Sequence, residues 1–437
     1  MKAKTIKRKL TELIGTMSSS PQPFLRNPEK DFTRQRKLGF GDTVTFLLQM
    51  QGRSTTNEML DFWKCSPVIP TASALRQQRD KIRPEAFVFL FRAFTENCMD
   101  KNVLYRGYRL LAIDGSNLLT ATGPSDPDSY FPGVNGQKSY NILHLNALYD
   151  LKQKVYVDAI VQKSRQSNEH KALCDMVDHS TIANAIVLAD RGYESFNNLA
   201  HLQEKGWKFL IRIKNGSNGI ASGLDLPDTD EFDMSLSLNL SNKGSNAMKA
   251  LYKDKNHYRF ITNPSTFDYL PSKSKKADPV HIYTLNFRIL RVKISDSLYE
   301  TFLTNLDFPF DEFKSLYALR WGIESSFRDL KYTVGLSSFH SKKVEHILQE
   351  IFARLTMYNF AEFITQSVLI RQKNRKHLYQ VNFSAAVHIC RQIFRGSVSP
   401  PDAELLISRY ISPVRPNRSL LRKLTPKGVV SFLYRVA

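Results

Sequence analysis

Two aspartates stand where a charge is costly. Asp114 closes the apolar run Leu-Leu-Ala-Ile, and Asp190 closes Ile-Val-Leu-Ala. An ionised carboxylate set against such a run loses hydration unless a cation compensates it. Taken singly, each aspartate serves equally as a turn former or a helix cap. Side by side on neighbouring strands, two like charges call for a divalent metal. A third carboxylate, Glu324, lies in Tyr317-Ala-Leu-Arg-Trp-Gly-Ile-Glu-Ser-Ser-Phe-Arg-Asp-Leu-Lys331. At helical spacing, Leu316, Leu319, Ile323, Phe327 and Leu330 form an apolar stripe, with Tyr317, Arg320, Glu324 and Lys331 as an adjacent polar one. A carboxylate flanked by Tyr, Arg and Lys suits phosphodiester chemistry: the acid completes a metal cage while the others hold phosphate. The same pattern also suits a surface helix with ordinary salt bridges.

These residues need a frame that brings them together. Residues 109–114, 144–149 and 154–161 read as strands, the last two joined tightly through 150–153. A helix over 168–179, a buried strand over 185–190, a helix over 196–204 and a strand over 207–213 follow. The order β-β-β-α-β-α-β describes a mixed sheet covered by helices, the order of the ribonuclease H-like fold. In that order the first and fourth strands are neighbours, so Asp114 and Asp190 meet at one sheet edge. The predicted fold class is α/β: a ribonuclease H-like mixed sheet with a β-rich insertion, plus helical N-terminal and C-terminal regions.

Residues 1–104 read as a helical DNA-binding domain. Helices start near residues 10 and 42, at the cap-like Ser54 or Thr55, over 71–82, and at Pro84 in a first turn. Arg76, Arg79 and Arg83 share one face of the 71–82 helix, which makes either a solvated surface or a phosphate clamp. Residues 105–213 read as the first part of the ribonuclease H-like core. Residues 214–309, with Gly, Ser, Asn and Asp clustered at 215–247 and strand-like pieces at 281–287, 289–294 and 300–304, read as a β-rich insertion. Residues 310–370 return to helix as the second part of the core, and 371–437 form a basic C-terminal region.

The chain has 437 residues, 62 Lys and Arg against 41 Asp and Glu, and a net charge of +21. Residues 1–100 carry 17 basic against 10 acidic side chains and 361–437 carry 13 against 3, which leaves the middle nearly balanced. Cationic ends on a folded middle suit a polyanion, through phosphate neutralisation and counterion release. With 28 Phe and 18 Tyr, the chain is not a disordered polymer. Four separated cysteines give neither a disulfide framework nor a zinc site and suit a reducing cytoplasm. No apolar run is long enough to span a membrane, and the basic start, interrupted by Glu12, does not read as a signal peptide. Gly133-Val-Asn-Gly-Gln-Lys-Ser lacks P-loop spacing. His144 and His170 read as hydrogen-bonded or exposed, Asp126 and Asp128 as turn formers, Glu169 as a solvated helix residue and Trp321 as core.

The spacing Tyr-x2-Arg-x3-Glu-x6-Lys, preceded by Ile-Asp-Gly and Ala-Asp-Arg-Gly-Tyr, resembles the DDE transposases of bacterial insertion sequences. It is similar in particular to the subgroup with a β-rich insertion before the catalytic Glu. Arg79-Asp-Lys-Ile, Lys138-Ser-Tyr-Asn, His144-Leu-Asn-Ala-Leu-Tyr-Asp150 and Met357-Tyr-Asn-Phe360 extend the likeness over residues 35–365. The resemblance implies cut-and-paste DNA transposition with two Mg2+ or Mn2+ ions held by Asp114, Asp190 and Glu324. It implies that Tyr317, Arg320 and Lys331 grip DNA near the scissile phosphate. Arg191, beside Asp190, is a further candidate for phosphate contact or a salt bridge. Tyr299 stands near the expected place of an aromatic that assists a hairpin intermediate. The implied partners are double-stranded DNA, as inverted-repeat ends and target, and a second copy in a synaptic homodimer. The implied location is the bacterial cytoplasm, at the nucleoid. Two readings compete with it: a structure-selective DNA nuclease of the same fold, and a catalytically silent DNA-binding protein derived from a transposase.

Overall fold

The computed structural model describes residues 1–34, 36–134, 136, 138–214, 219–262, 264–271, 281–370 and 377–414. Five helices come first: α1 (Ala3–Ser19), α2 (Phe40–Gln49), α3 (Thr55–Phe62), α4 (Ala72–Arg79) and α5 (Glu85–Cys98). Along α1, Ile6, Leu10, Ile14 and Met17 recur at three- and four-residue spacing, and all are buried. Ser54 and Thr71 cap α3 and α4, accepting the backbone N–H of Asn57 and Ala74. The helix expected over 71–82 ends at Arg79, so Arg83 lies outside it and the three arginines do not share one helical face.

The sheet follows: β1 (Arg109–Thr120), β2 (Tyr130–Phe131), β3 (Tyr140–Asp150), β4 (Val155–Lys163), β5 (Ala185–Ala189) and β6 (Lys208–Arg212), with α6 (Glu169–His179) and α7 (Phe196–Glu204) as crossovers. β1 lies between β3, antiparallel, and β5, parallel; β6 runs parallel beside β5, and β4 pairs on the outer side of β3. This is the order expected of the ribonuclease H-like sheet. Asp114, however, does not close its strand. Pairing with β5 stops at Ala112 opposite Leu188, whereas pairing with β3 continues to Thr120. The Gly-Ser-Asn after Asp114 looks like a turn in the sequence, but β3 supplies a full ladder of partners and holds it extended.

The insertion contains β7 (Phe232–Ser241), α8 (Asn246–Leu251), β8 (Tyr258–Phe260), β9 (Tyr283–Ser295) and β10 (Leu298–Thr304). It adds to the same sheet: β10 pairs antiparallel with β6, β9 with β10 and β7 with β9, giving a ten-stranded sheet among the described residues. The two pieces expected at 281–287 and 289–294 are one strand. β7 falls in the segment whose Ser and Asn content reads as loop, and alternation with Leu236, Leu238 and Leu240 makes it a strand. Residues 215–218 of that cluster, and Asn135 and Gln137 of the 133–139 motif, lie outside the described residues.

The chain then forms α9 (Glu312–Ala318), α10 (Trp321–Arg328), a π-helical turn (Asp329–Thr333), α11 (Val344–Ser367), β11 (Tyr379–Val381), α12 (Phe383–Phe394), α13 (Pro400–Arg409) and β12 (Ile411–Pro413). α11 is buried nearly all round because helices enclose it and β4 lies beneath. Phe91 and Phe94 of α5 pack on Phe352, Phe360 and Phe363 of α11, and Phe360 meets Phe394 of α12. The backbone N–H of Ala3 donates to Glu404 Oε1 of α13 at 2.6 Å. Helices from both ends of the chain therefore share one core on one face of the sheet. α6 and α7 cover the opposite face. Among the described residues, no helix is long and apolar enough to cross a membrane.

A buried polar network crosses the helical layer. Arg79, 4% exposed, donates Nη2 to Glu350 Oε1 at 2.9 Å and to the His346 carbonyl at 2.6 Å, and Nε to Gln349 Oε1 at 2.9 Å. Glu350 also pairs with Arg354 Nη2 at 3.3 Å and His340 Nδ1 at 3.1 Å. Burial alone would push the Glu350 carboxyl up, but the Arg79 and Arg354 guanidinium groups and the hydrogen bond with His340 hold it well below the usual carboxylate range.

Candidate active site

The register of the parallel pair β1/β5 sets the site. Ala112 is opposite Leu188, so two residues further each chain reaches Asp114 and Asp190 at the place where β5 ends and the sheet opens. Asp190 stays outside the strand by capping the following turn, where its side chain accepts the Gly192 N–H at 2.8 Å. Alternation then decides which face Asp114 joins. Ala112 packs with the helical core that includes Ile323, Phe327 and Leu330, whereas Leu111 and Ile113 pack towards α6 and α7. Asp114 therefore projects to the side of α10.

Glu324 reaches the site from α10, with Arg320 between the two acids. Arg320 Nη2 donates to Glu324 Oε1 at 2.8 Å, and Nη1 stands 4.0 Å from Asp114 Oδ2. The guanidinium is 3% exposed and lies 5.0 Å over the Trp321 ring and 5.7 Å over that of Tyr317. Burial pushes the Asp114 carboxyl up to about 6; Asp190 and Glu324 push the same way, while the Gly115 N–H and Arg320 oppose them. Lys331 Nζ donates to the Asn117 carbonyl at 2.9 Å, three residues along β1 from Asp114. All four members of the expected polar stripe thus line one side of the sheet edge.

The helix that carries them differs from the one expected. It breaks at Leu319–Arg320, where three-residue hydrogen bonds such as Arg320 N–H to the Tyr317 carbonyl (3.0 Å) tighten the chain. Leu319 leaves the apolar stripe and is 44% exposed. A π-helical turn then resets the phase before Lys331, with the Val334 N–H donating to the Asp329 carbonyl. Trp321, expected in the core, is 53% exposed beside Arg320 because the break turns it outward. W321A should therefore change stability by no more than about 0.5 kcal/mol in urea unfolding, against the roughly 3–5 kcal/mol of a core Trp.

The DNA-contact candidates divide by burial. Tyr317 is mostly core: its ring packs against Phe302 at 4.7 Å, and its buried hydroxyl has no hydrogen-bond partner among the described residues. Arg79 is not a surface cation but the centre of the buried Glu350 network, a correction that follows from its place on the inner side of α4. Arg76, Arg83 and Arg191 are exposed. Next to Arg83, Lys30, Arg34, Arg36 and Lys81 line a cavity of about 370 Å3 together with Glu29 and Phe32. Tyr299 sits in the β9–β10 hairpin, its hydroxyl 3.3 Å from Asp230 Oδ2 and its ring under Arg291.

His144, which opens one of the motifs of the family likeness, and Glu169, expected as a solvated helix residue, are brought together at 2.8 Å beside Gly115. The signal that could have marked them is the glycine after Asp114 and the one two residues after Asp190, since close approach of another group favours glycine.

The family model described as "Transposase DDE domain" matches residues 105–360. Among solved structures, the cryo-EM synaptic complex of piggyBac transposase with hairpin DNA is similar at 11% identity and a TM-score of 0.46, covering 96% of this chain and 87% of that chain. No curated protein sequence matches. The matched segment takes in both aspartate motifs, the insertion and the Glu324 helix, and the chain belongs to the transposase DDE-domain family, whose members act in DNA transposition.

Proposed function

We propose that this protein is the cut-and-paste transposase of a bacterial insertion sequence, of the subgroup with the Tyr-x2-Arg-x3-Glu-x6-Lys signature. It cleaves the element's inverted-repeat ends and joins them to target DNA. The observation that carries this reading is the shared register step of Asp114 and Asp190, with Arg320 bridging from Asp114 to Glu324. The division into a core of 105–213 and 310–370, interrupted by the insertion at 214–309, belongs to the same reading.

The donor set fits a hard divalent cation. All three side chains offer oxygen, and their charges crowd a partly buried edge with one guanidinium between them. Among the described residues no three acidic, His or Cys side chains stand close enough to hold a metal, so Arg320 must yield Glu324 for three-way ligation. Asp114, Asp190 and Glu324 would hold Mg2+ or Mn2+, two ions in the working site. When bound, these ions supply Lewis-acid activation of the attacking and leaving oxygens.

The chain's own residues do the rest. Arg320, displaced from the carboxylates, has its planar fork available for the scissile phosphate. Lys331, anchored at β1, adds a point charge on the same edge. The Tyr317 hydroxyl, buried and unpaired among the described residues on the ring that Arg320 overlies, can donate to a phosphate oxygen that enters there. Exposed Arg76, Arg83 and Arg191, with the cationic cavity near Arg83, bind the duplex away from the cut. Two ends held together imply a homodimeric synaptic complex, at the nucleoid.

The test incubates the protein with Mg2+, an end-containing donor and a target plasmid. Cleavage with joining is the expected result. Cleavage without joining would make it a structure-selective nuclease, and binding alone a silent DNA-binding derivative.

The cationic C-terminus gives a separate prediction. α12 and α13 supply Ala386, Val387, Cys390, Ile393, Ala403 and Ile407 to the shared core, so removing them unfolds more than a DNA-binding surface. A cut after residue 414 keeps these helices and removes six basic and no acidic residues. Salt titration of end binding should then show a slope shallower by about 1 for each phosphate that is no longer neutralised. An unchanged slope would place the DNA grip elsewhere.

A further inference from the structure

The motif glycines have a tenant. A Cβ on Gly115 would stand 2.5 Å from Glu169 Oε1 and 2.5 Å from His144 Nε2. A Cβ on Gly192 would stand 2.9 Å from Asp190 Oδ1 and 3.8 Å from Glu169 Oε2. One carboxylate thus fills the space left by Gly115 with one oxygen and borders Gly192 with the other, where Asp190 takes up the closer space. Glu169 comes from the first turn of α6, on the opposite face of the sheet from Glu324. It reaches the edge because β5 has ended there.

Its two oxygens have different settings. Oε1 is paired with His144 Nε2 at 2.8 Å, and His144 Nδ1 is fixed against Asn117 Oδ1 at 2.7 Å. Oε2 lies on the side of Gly192, the glycine that Asp190 Oδ1 also borders. Two carboxylates that border one glycine leave room for a donor or a cation to be shared between them. Tyr193 adds an independent sign of a ligand there. It is 1% exposed, its hydroxyl has no hydrogen-bond partner among the described residues, and Glu169, Asp114 and Asp190 all lie within its electrostatic reach. A tie between α6 and β3 alone would need only the His144 pair. It would not need the second oxygen at Gly192, and it would leave the buried, unpaired hydroxyl of Tyr193 without a partner.

We propose that Glu169 is a fourth acid of this site: Oε2, with the Tyr193 hydroxyl, holds a water in the outer shell of the cation bound by Asp114 and Asp190. His144 is then a positioning residue that fixes the carboxylate, as outer partners of metal ligands do. The inference rests on the cation reading above, and the experiment separates the two.

Mn2+ is titrated into the full-length, DNA-free protein, and the free ion is read by its paramagnetic resonance signal. Glu169→Gln keeps the side chain's shape and should weaken Mn2+ binding about 10- to 100-fold. H144Q should weaken it in the same direction, and it decides the matter if E169Q does not fold. Wild-type Mn2+ affinity in a folded E169Q, or in H144Q where E169Q fails to fold, overturns the fourth-acid assignment. D190N is the reference. If D190N loses Mn2+ while E169Q keeps it, only this inference fails; if D190N also binds as wild type does, the cation reading fails with it.

Discussion

D190N should lower strand cleavage at an element end by about a thousandfold or more, which is about 4 kcal/mol of transition-state stabilisation. Asparagine is the informative replacement because it can keep the local structure. The Asp190 oxygen that accepts the Gly192 N–H has a counterpart in the asparagine carbonyl, so the turn after β5 is preserved. Only the charge is removed, at the point where the β1/β5 register brings it beside Asp114. On the proposed reading, in which exposed cations elsewhere bind the duplex, DNA binding should remain within a few-fold of wild type. A supercoiled donor in Mg2+ measures the cleavage, and a mobility shift with a labelled end measures binding. Cleavage by D190N within tenfold of wild type would remove Asp190 from the chemistry.

E350Q should destabilise the fold by about 3–5 kcal/mol, because it leaves Arg79 and Arg354 buried without their countercharge. The pH dependence follows from the direction of the Glu350 shift. A carboxyl held low in the folded state contributes stability above its unfolded value, and loses it only as pH falls through the folded one. The gap between wild type and E350Q in urea unfolding should therefore stay constant from about pH 8 to 5 and close only in strong acid. R79A should be destabilised to a similar extent, whereas R76A, on the exposed side of α4, should leave stability unchanged. Equal stability of R79A and wild type would return Arg79 to the surface cations.

The catalytic sheet was legible because its signals are local. Apolar runs of four or five residues ended by Asp, helices begun by Asn168, and the turn at 150–153 need little tertiary context. What escaped depends on partners distant in sequence. β1 continues past Asp114 because β3 pairs with it through Asn141, and β7 forms because β9 lies alongside. The break at Leu319–Arg320 has no proline to mark it, only Gly322 just beyond, and helical spacing carried through it gave Leu319 and Trp321 the wrong surroundings. Arg79 misled for a related reason. Helical phase gives the face of a side chain, but whether water or α11 covers that face is a tertiary fact. Glu169 carries no motif and His144 lies on a separate element, so only the folded sheet edge brings the two together beside Gly115.

The shared core of the two ends sets a schedule for synthesis. α5 is complete at Cys98, but its principal partner α11 begins at Val344, and α12 and α13 come later still. At roughly 5–20 residues per second, the aromatic face of α5 waits on the order of tens of seconds on the ribosome before its cover emerges. The strands of the catalytic sheet are translated during that interval and can pair first. A nascent chain arrested before residue 344 should hold a sheet with an uncovered apolar layer, a natural client for chaperones. The helical layer thus becomes complete only when α11, α12 and α13 have been translated.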